Sequence, residues 1–313
     1  MIEQVFEQLG LVVLERGWLS SNNIVFHATP HSAAAVVDTG YQSHTAQTLS
    51  LLQAALRGQP LGCIVNTHLH SDHCGGNAML QGLWEAETWV PEPLVDVVQR
   101  WDESVLTYRG TDQRCERFRA DRALVAGQSL RLGSFDWQIV PAPGHDPDAV
   151  MLFEPQSRVL ITADALWENR LAIIFPELAG APGFAEARRA LDTVESLQPS
   201  IVIPGHGGPF TNVASALAAS RERITQFEAA PEKHLRLAER ALTMFHMLEQ
   251  RQQTREALIG WLAATPIFQT ALQRLGIESA DARDERAAQI VARLVADGQL
   301  QLTAAGREIC LPH

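Results

Sequence analysis

Short, mainly apolar runs alternate with polar segments along the first two thirds of the chain. Residues 61–65, 137–140, 158–161 and 201–203 form four such runs, each short enough for a buried strand and each followed at once by a polar turn. Residues 43–56 instead have the pattern of a helix. The pattern predicts an α/β fold in which polar side chains collect at the carboxyl ends of strands.

The turn after residues 61–65 holds the densest group of chemically active side chains. His68, His70, Asp72 and His73 fall within six residues. In an extended segment alternate residues point to the same side, so His68 and His70 face one point, and Asp72 and His73, past a turn, face a second. Imidazole nitrogens and carboxylate oxygens are ligands for zinc-type cations. Clustering titratable groups without a ligand is costly, which favours a metal site over a histidine-rich polar loop.

The other three turns each add one potential ligand. They contribute His145, Asp164 and His206. If the strands belong to sheets of one domain, these side chains meet at one edge, where open α/β architectures place their sites. The seven ligands of the four turns are one short of four for each of two ions, so one bridging carboxylate would complete the count.

In this order, the motif residues resemble those of the metallo-β-lactamase superfamily, and within it the branch similar to glyoxalase II. The resemblance covers about residues 8–215. It implies a four-layer αββα sandwich and two metal positions that share a bridging ligand. The implied ligands are His68, His70 and His145 for one ion, Asp72, His73 and His206 for the other, and Asp164 as the bridge. Asp38 matches the family's first motif and would support the ligands from behind, although a simple turn before Gly40 is the alternative.

The resemblance implies hydrolysis by metal-bound hydroxide. Two divalent ions lower the pKa of a shared water from near 16 to about 7 and polarise a carbonyl or phosphoryl oxygen. Asp72 and Asp164 are then the candidate catalytic carboxylates. Zinc is the favoured metal, with iron and manganese as alternatives, because nitrogen and oxygen ligands serve all three. Cys74, beside His73, is predicted to be a buried packing residue rather than a metal ligand or a redox-sensitive thiol.

Charge and cysteine content narrow the function further. The 313-residue chain has a net charge of −11, all of it within residues 1–220, while residues 221–313 are neutral. An acidic catalytic part disfavours nucleic acid and leaves a small molecule as the expected substrate. The four scattered cysteines suit a reducing, cytoplasmic location. The chain start lacks the pattern of a signal peptide, and no apolar stretch is long enough for a membrane span.

We expect two domains. Residues 1–220 would form the catalytic domain, with an insertion at about 91–123 whose apolar residues recur at helical spacing. Insertions of this kind often roof the active site in the superfamily, so Trp101 and Tyr108 are pocket candidates, with plain packing as the equal alternative. Trp167 and Asn169 follow Asp164 closely and should line the pocket.

Residues 221–313 have the pattern of helices followed by a short hairpin around residues 304–306, which resembles a winged-helix module. Covering the catalytic domain or forming a homodimer interface is the favoured role for this part. A winged helix also invites a nucleic-acid role, but its neutral charge argues against one.

The preferred function is metal-dependent hydrolysis of a small ester-like bond, with a thioester as the favoured substrate. The alternatives are a nuclease acting on RNA or single strands, an iron-dependent sulfur dioxygenase on the same fold, and a non-catalytic ligand sensor.

Overall fold

Eleven strands of the catalytic part form two sheets in the computed structural model, which describes residues 2–303 and 307–312. The strands of the first sheet are β1 (Leu11–Leu14), β2 (Asn23–Phe26), β3 (Ala34–Val37), β4 (Leu61–Val65), β5 (Glu87–Pro91) and β6 (Arg122–Leu124). Those of the second are β7 (Ser129–Leu132), β8 (Phe135–Pro141), β9 (Val150–Glu154), β10 (Val159–Ala163) and β11 (Ile201–Pro204).

Nine α-helices accompany these strands within the described residues. They are α1 (Ile2–Leu9), α2 (Thr45–Leu56), α3 (Ser71–Cys74), α4 (Asn77–Trp84), α5 (Val95–Arg100), α6 (Tyr108–Thr111), α7 (Phe175–Ala179), α8 (Phe184–Leu197) and α9 (Val213–Ala229). The elements that follow are α10 (Pro231–Gln250), β12 (Gln252–Thr254), α11 (Arg255–Ala264), α12 (Pro266–Arg274), α13 (Ala280–Ala296), β13 (Gln301–Leu302) and β14 (Glu308–Cys310).

Both sheets mix parallel and antiparallel strands. The first follows the order β1-β2-β3-β4-β5-β6 and is parallel from β3 to β6. The second follows β11-β10-β9-β8-β7, with β10 and β11 parallel. Parallel neighbours end at the same edge, so the polar turns after β3 and β4, and those after β10 and β11, lie side by side within each sheet.

The two sheets pack face to face and are covered by helices on their outer faces. Phe26 and Val65 of the first sheet share a buried apolar cluster with Trp137, Leu152 and Ile161 of the second. Helices α2 and α4 cover the first sheet, and α8 and α9 cover the second. This arrangement confirms the predicted αββα sandwich.

The insertion at residues 91–123 is less helical than its apolar spacing predicts. Helix α5 ends at Arg100, where Trp101 takes a left-handed conformation with φ 55°. Leu94, Val97 and Val98 are buried, but Val105 is 49% exposed. The helical pattern therefore holds for one turn and a half only.

The C-terminal part contains four helices and a small sheet of order β12-β14-β13. Thr254 is the N-cap of α11, and its side chain accepts a hydrogen bond from the Ala257 amide at 3.1 Å. The sequence pattern missed β12. The turn predicted at residues 304–306 lies outside the described residues, and the winged-helix assignment stays a prediction.

Helix α9 crosses the domain boundary placed between residues 220 and 221, and it packs with α8 on the second sheet. The division into residues 1–220 and 221–313 stays a prediction. No helix within the described residues combines the length and the apolar character that crossing a bilayer demands.

A buried histidine connects α10 to the catalytic part. His234 Nε2 accepts a hydrogen bond from the Ile174 amide at 3.0 Å, and its ring packs against Phe184 and Phe227. Burial lowers the pKa of His234 to about 4. Between about pH 4 and the usual histidine pKa, the folded protein therefore keeps this ring neutral, whereas the unfolded chain binds a proton there.

We predict that this histidine makes the protein acid-sensitive. Its stabilising effect is complete above the usual histidine pKa and is lost as pH falls toward about 4; at about 1.4 kcal/mol per pKa unit, the loss reaches about 3 kcal/mol. In His234→Gln, which keeps an acceptor but does not titrate, that part of the pH dependence should vanish. Chemical denaturation of both proteins at several pH values measures this, and parallel stability curves would contradict it.

Candidate metal centre

The ends of four strands bring the seven predicted ligands together. The chain leaves β4 through Thr67 and His68, and His70 is extended (φ −65°, ψ 149°) just before α3. That short helix carries Asp72 and His73 in one turn. Asp164 follows β10 and His206 follows β11, and the Gly205 amide donates to the Ala163 carbonyl at 2.7 Å.

The ligand atoms form three overlapping groups in which they all lie within 4.8 Å of one another. The groups are His68 with His70 and His145, His68 with His73 and Asp164, and Asp72 with His73 and His206. Two of the three contain the ligand sets implied for separate ions, and the third contains the proposed bridge. The geometry therefore suits two ions next to each other.

Buried nitrogen atoms that have no hydrogen-bond partner show whether the residues of the cluster suit a metal ion. Among the described residues, the Nε2 atoms of His68, His70 and His73 are buried and make no hydrogen bond. His70 Nδ1 also lies only 2.7 Å from His145 Nε2. A buried polar atom left unpaired costs about 1–3 kcal/mol, and cations bound within the cluster would satisfy the Nε2 atoms of His68 and His73. His70 would bind through Nδ1, the atom that lies beside His145 Nε2. The residues present fit a divalent metal.

Asp38 supports the centre from behind the ligands. Its carboxylate accepts hydrogen bonds from the Thr67 amide at 2.9 Å and the Thr67 hydroxyl at 2.8 Å. Its Oδ2 also lies 2.7 Å from His73 Nδ1. This contact fixes the His73 ring so that Nε2 faces the cluster, which is how outer carboxylates orient metal-binding histidines.

Asp164 reaches both metal positions. Its carboxylate oxygens lie 3.4 Å from His73 Nε2, 3.4 Å from His145 Nε2 and 3.9 Å from His206 Nε2. These histidines belong to the two different ligand sets. A bridging role for Asp164 is consistent with this central position.

Burial keeps three of the histidines neutral and able to bind metal. It lowers the pKa of His70 and of His145 to about 4, and it lowers the pKa of His68 well below the usual histidine value. The Ile173 carbonyl lies 2.6 Å from His145 Nδ1 and accepts its proton in a hydrogen bond, which leaves Nε2 as the ligand atom.

The carboxylates create the opposite condition around His73. Burial opposes it, but the negative charges of Asp164, Asp38 and Asp72 raise the pKa of His73 well above its usual value. Burial alone would also raise the pKa of Asp72, yet nearby His73 and His206 lower it. The cluster is thus a buried region of negative charge that favours a cation.

Asp146 is a further carboxylate beside the ligands, and it directly follows His145 in the sequence. It is buried, and its Oδ2 lies 3.6 Å from His70 Nε2. Burial raises the pKa of Asp146. Its position directly after a predicted ligand, in a turn, was the available signal.

Of the four predicted pocket residues, two lie at the spaces beside the ligands and two do not. Trp167 lines the cavity above the ligands and donates its Nε1 proton to Asp164 Oδ1 at 3.1 Å. Asn169 lies in an adjoining open cleft. Trp101 and Tyr108 do not line either space. They pack against each other and against Leu94 and Phe118 in the apolar core of the insertion, so the packing alternative describes them.

Cys74 is buried in the same core. Its Sγ lies 3.1 Å from Tyr108 Oη and 3.8 Å from Cys115 Sγ, and burial raises the pKa of its thiol well above the usual range. It belongs to none of the three ligand groups.

The sequence pattern did not identify several residues that lie beside the ligand cluster. Phe175 packs its ring 4.8 Å from that of His70, and Trp18 lies 6.2 Å from that of His206. Residues of α10 complete the cavity. Nothing near these residues in the sequence marks them, because they meet the ligands only through the tertiary fold.

Comparison with known proteins agrees with the geometry. The family model of the metallo-beta-lactamase superfamily matches residues 16–206 of the chain, a range that contains all seven predicted ligands. The chain belongs to this superfamily. It is a metallo-hydrolase by membership, in the glyoxalase-II-like branch.

Relatives and solved structures resemble the chain over different lengths. Hydroxyacylglutathione hydrolase from Anaeromyxobacter dehalogenans is 27% identical over 251 residues, which is 76% of this chain and 87% of that protein. Acyl-coenzyme A thioesterase MBLAC2 from Gallus gallus is 24% identical over 161 residues, 47% of this chain and 56% of that protein. The crystal structure of the family protein TTHA1429 from Thermus thermophilus matches with a TM-score of 0.54 and 17% identity, over 97% of this chain and 99% of that chain. The last match shows the shared fold.

We predict that Asp164→Ala loses bound metal and hydrolytic activity together, because this carboxylate lies between both ligand sets of the metallo-hydrolase. Metal analysis of the purified variant, with thermal stability as a check of folding, measures the effect. Full metal occupancy with normal turnover would refute the bridging assignment.

We also predict that Gly205 cannot be replaced. A Cβ at this position would lie 2.2 Å from Asp164 Oδ1 and 3.0 Å from His73 Cε1. Gly205→Ala must therefore displace a candidate ligand, and metal affinity should fall about 10-fold or more. Gly82→Ala is the matched control, since a Cβ there meets nothing within 4 Å. Equal metal affinity in the two variants would contradict the close approach.

Proposed function

We propose that this metallo-hydrolase cleaves a small thioester with the aid of two divalent ions, preferably zinc. The observation that carries the proposal is the cluster of buried ligand candidates, in which His68 and His73 hold Nε2 atoms without hydrogen-bond partners and from which His70, His145 and Asp164 line a mainly apolar cavity. The names of the two relatives above, a hydroxyacylglutathione hydrolase and an acyl-coenzyme A thioesterase, describe cleavage of an acyl group from a thiol carrier.

Divalent ions, when bound, supply a water of lowered pKa and polarise the carbonyl that it attacks. His68, His70 and His145 would hold one ion, and Asp72, His73 and His206 the other, with Asp164 between them. The chain orients these side chains through fixed hydrogen bonds: Asp38 to His73, the Ile173 carbonyl to His145, and Trp167 to Asp164.

Two buried carboxylates are the candidates for handling protons during the reaction. Asp72 Oδ2 lies 3.1 Å from His206 Nε2, and both residues line the cavity together with Asp164. Phe175 and Ile173 line the same cavity and limit the access of bulk water. A dry site strengthens electrostatic interactions with a polarised substrate.

The nuclease alternative has one observation in its favour. A cleft of about 380 Å³ between α9, α10 and α13 is lined by six cationic side chains. They are Arg223, Lys233, Arg236, Arg240, Arg286 and Arg293, and two carboxylates, Glu239 and Asp297, line the cleft with them. The neutral net charge of this part therefore hides a local basic surface. Leu237 is the one residue that lines both this cleft and the cavity above the ligands.

The cellular setting is also a proposal. All four cysteines are free in the structure, which supports the reducing cytoplasmic location expected from the sequence. We also propose a small-molecule substrate and a homodimer formed through the C-terminal part.

We predict that the zinc-loaded protein releases thiol from small S-acyl N-acetylcysteamine thioesters, with a rate that rises with pH through an apparent pKa near 7. Asp164→Ala is the inactive control. Metal analysis, with assays of oxygen uptake and of RNA cleavage, distinguishes the alternatives. Cleavage of RNA without thioester hydrolysis would replace this proposal by the nuclease, and oxygen-dependent oxidation of a thiol substrate by an iron-loaded form would replace it by the dioxygenase.

A further inference from the structure

Two spaces of different character meet at the metal-ligand candidates. One is a narrow cavity of about 60 Å³. The other is an open cleft of about 370 Å³. Trp18, Trp167 and His206 line both of them. A substrate whose reactive bond lies at this junction would therefore extend one group into each space.

The narrow cavity is mainly apolar apart from its floor and Gln113. His70, Asp72, His145 and Asp164 form that floor. One wall consists of Leu171, Ile173 and Phe175, from the segment after β10 and the start of α7. The ring of Phe175 lies close to those of both His70 and His145, at 4.8 and 5.4 Å, so this wall begins directly at the ligands.

Helix α10 forms the opposite wall. It contributes Leu237, Ala241, Leu242 and Phe245. Three of these, at positions 237, 241 and 245, follow one another at four-residue spacing and so lie along one helix face of about 12 Å. Phe245 is at the end near the junction, because its ring lies 5.9 Å from that of Trp18. Ala241 is the small side chain in the middle of the row.

The open cleft is polar. It is lined by Arg16, Glu168, Asn169 and Arg170, and the Arg170 guanidinium lies 6.0 Å above the Trp18 ring. Its size falls within the usual range of ligand pockets, whereas the narrow cavity lies far below that range. A bulky polar group fits the cleft, and a slim apolar group fits the cavity.

We infer that the face of α10 formed by Leu237, Ala241 and Phe245 is an acyl-binding wall, and that the substrate is a thioester of a slim, unbranched apolar acid. The acyl chain lies in the narrow cavity and the polar thiol carrier lies in the open cleft. In hydrolysis the water oxygen bonds to the carbonyl carbon, the carbon–sulfur bond breaks, and the sulfur leaves with the bonding electrons and takes up a proton. The small Ala241 leaves room for the chain in the middle of the wall, and Leu237 at the far end limits the chain length. This inference rests on the proposed thioester hydrolysis.

The test changes the size of the wall in both directions. Ala241→Phe fills the cavity, and Leu237→Ala enlarges its far end. The probes are S-acyl N-acetylcysteamine thioesters with acetyl, butanoyl, hexanoyl and octanoyl groups. Because one methylene that a pocket cannot accept changes kcat/KM about 10-fold or more, Ala241→Phe should lower kcat/KM for the hexanoyl and octanoyl thioesters by at least that factor relative to the acetyl thioester. Leu237→Ala should shift the preference toward octanoyl.

A binding measurement gives a readout that does not depend on turnover. S-alkyl thioether analogues of the same chain lengths should bind the metal-free protein, and the fluorescence of Trp18 and Trp167 reports this binding because both rings line the cavity. Ala241→Phe should weaken the binding of the long analogues only. Ala292→Phe adds the same bulk on the exposed side of α13 and should change nothing. Ala241→Val is a smaller change that serves if the Phe variant does not fold.

The outcomes separate the acyl wall from the proposed function. If the unaltered protein hydrolyses no thioester of the series, thioester hydrolysis is refuted. If it hydrolyses them but Ala241→Phe and Leu237→Ala leave the dependence on chain length unchanged, the acyl wall alone is refuted. A dependence that follows the size of the thiol rather than of the acyl group would reverse the orientation and also overturn the inference.

Discussion

Buried imidazole nitrogens and carboxylates converge on one edge of two facing sheets, and most other features of the molecule accommodate this convergence. His68 and His73 each hold a fully buried Nε2 that makes no hydrogen bond. Burying such groups without a partner is unfavourable, so the fold is expected to gain stability when a cation binds. We therefore expect metal binding and folding to be linked in this protein.

The two sheets divide the task of holding this cluster. The first sheet supplies the rigid support, since Asp38 joins the end of β3 to the Thr67 backbone and to His73. The second sheet supplies Asp164 and His206 at the ends of its parallel pair, where Gly205 leaves room for both ligand sets to approach. The C-terminal part adds the upper wall through α10, which is held in place partly by the hydrogen bond from Tyr41 Oη to Glu249 at 2.8 Å.

The sequence predicted the parts of this structure that depend on local pattern. The run at residues 61–65 coincides with β4, and all seven candidate ligands lie in one cluster. These features could be predicted because a strand followed by a polar turn leaves a local signature in the sequence. The residues that form the walls of the cavity could not be predicted in the same way. Helical spacing shows that a helix has an apolar face, but not which partner covers it. For Trp101 and Tyr108 the sequence therefore left pocket lining and packing as equal alternatives, and the structure places both in the core of the insertion. Ala241 and Phe245 gave no sign of lining the site.

The central claim is that the buried cluster is a site for two divalent ions. Calorimetric titration of metal-free protein with zinc at neutral pH tests it most directly, with thermal unfolding followed at each stage. We expect binding of about two ions per chain, release of a proton from His73, whose raised pKa keeps it protonated until metal binds, and a marked rise in the unfolding temperature. Binding of no ion, or of ions that leave the unfolding temperature unchanged, would contradict the account.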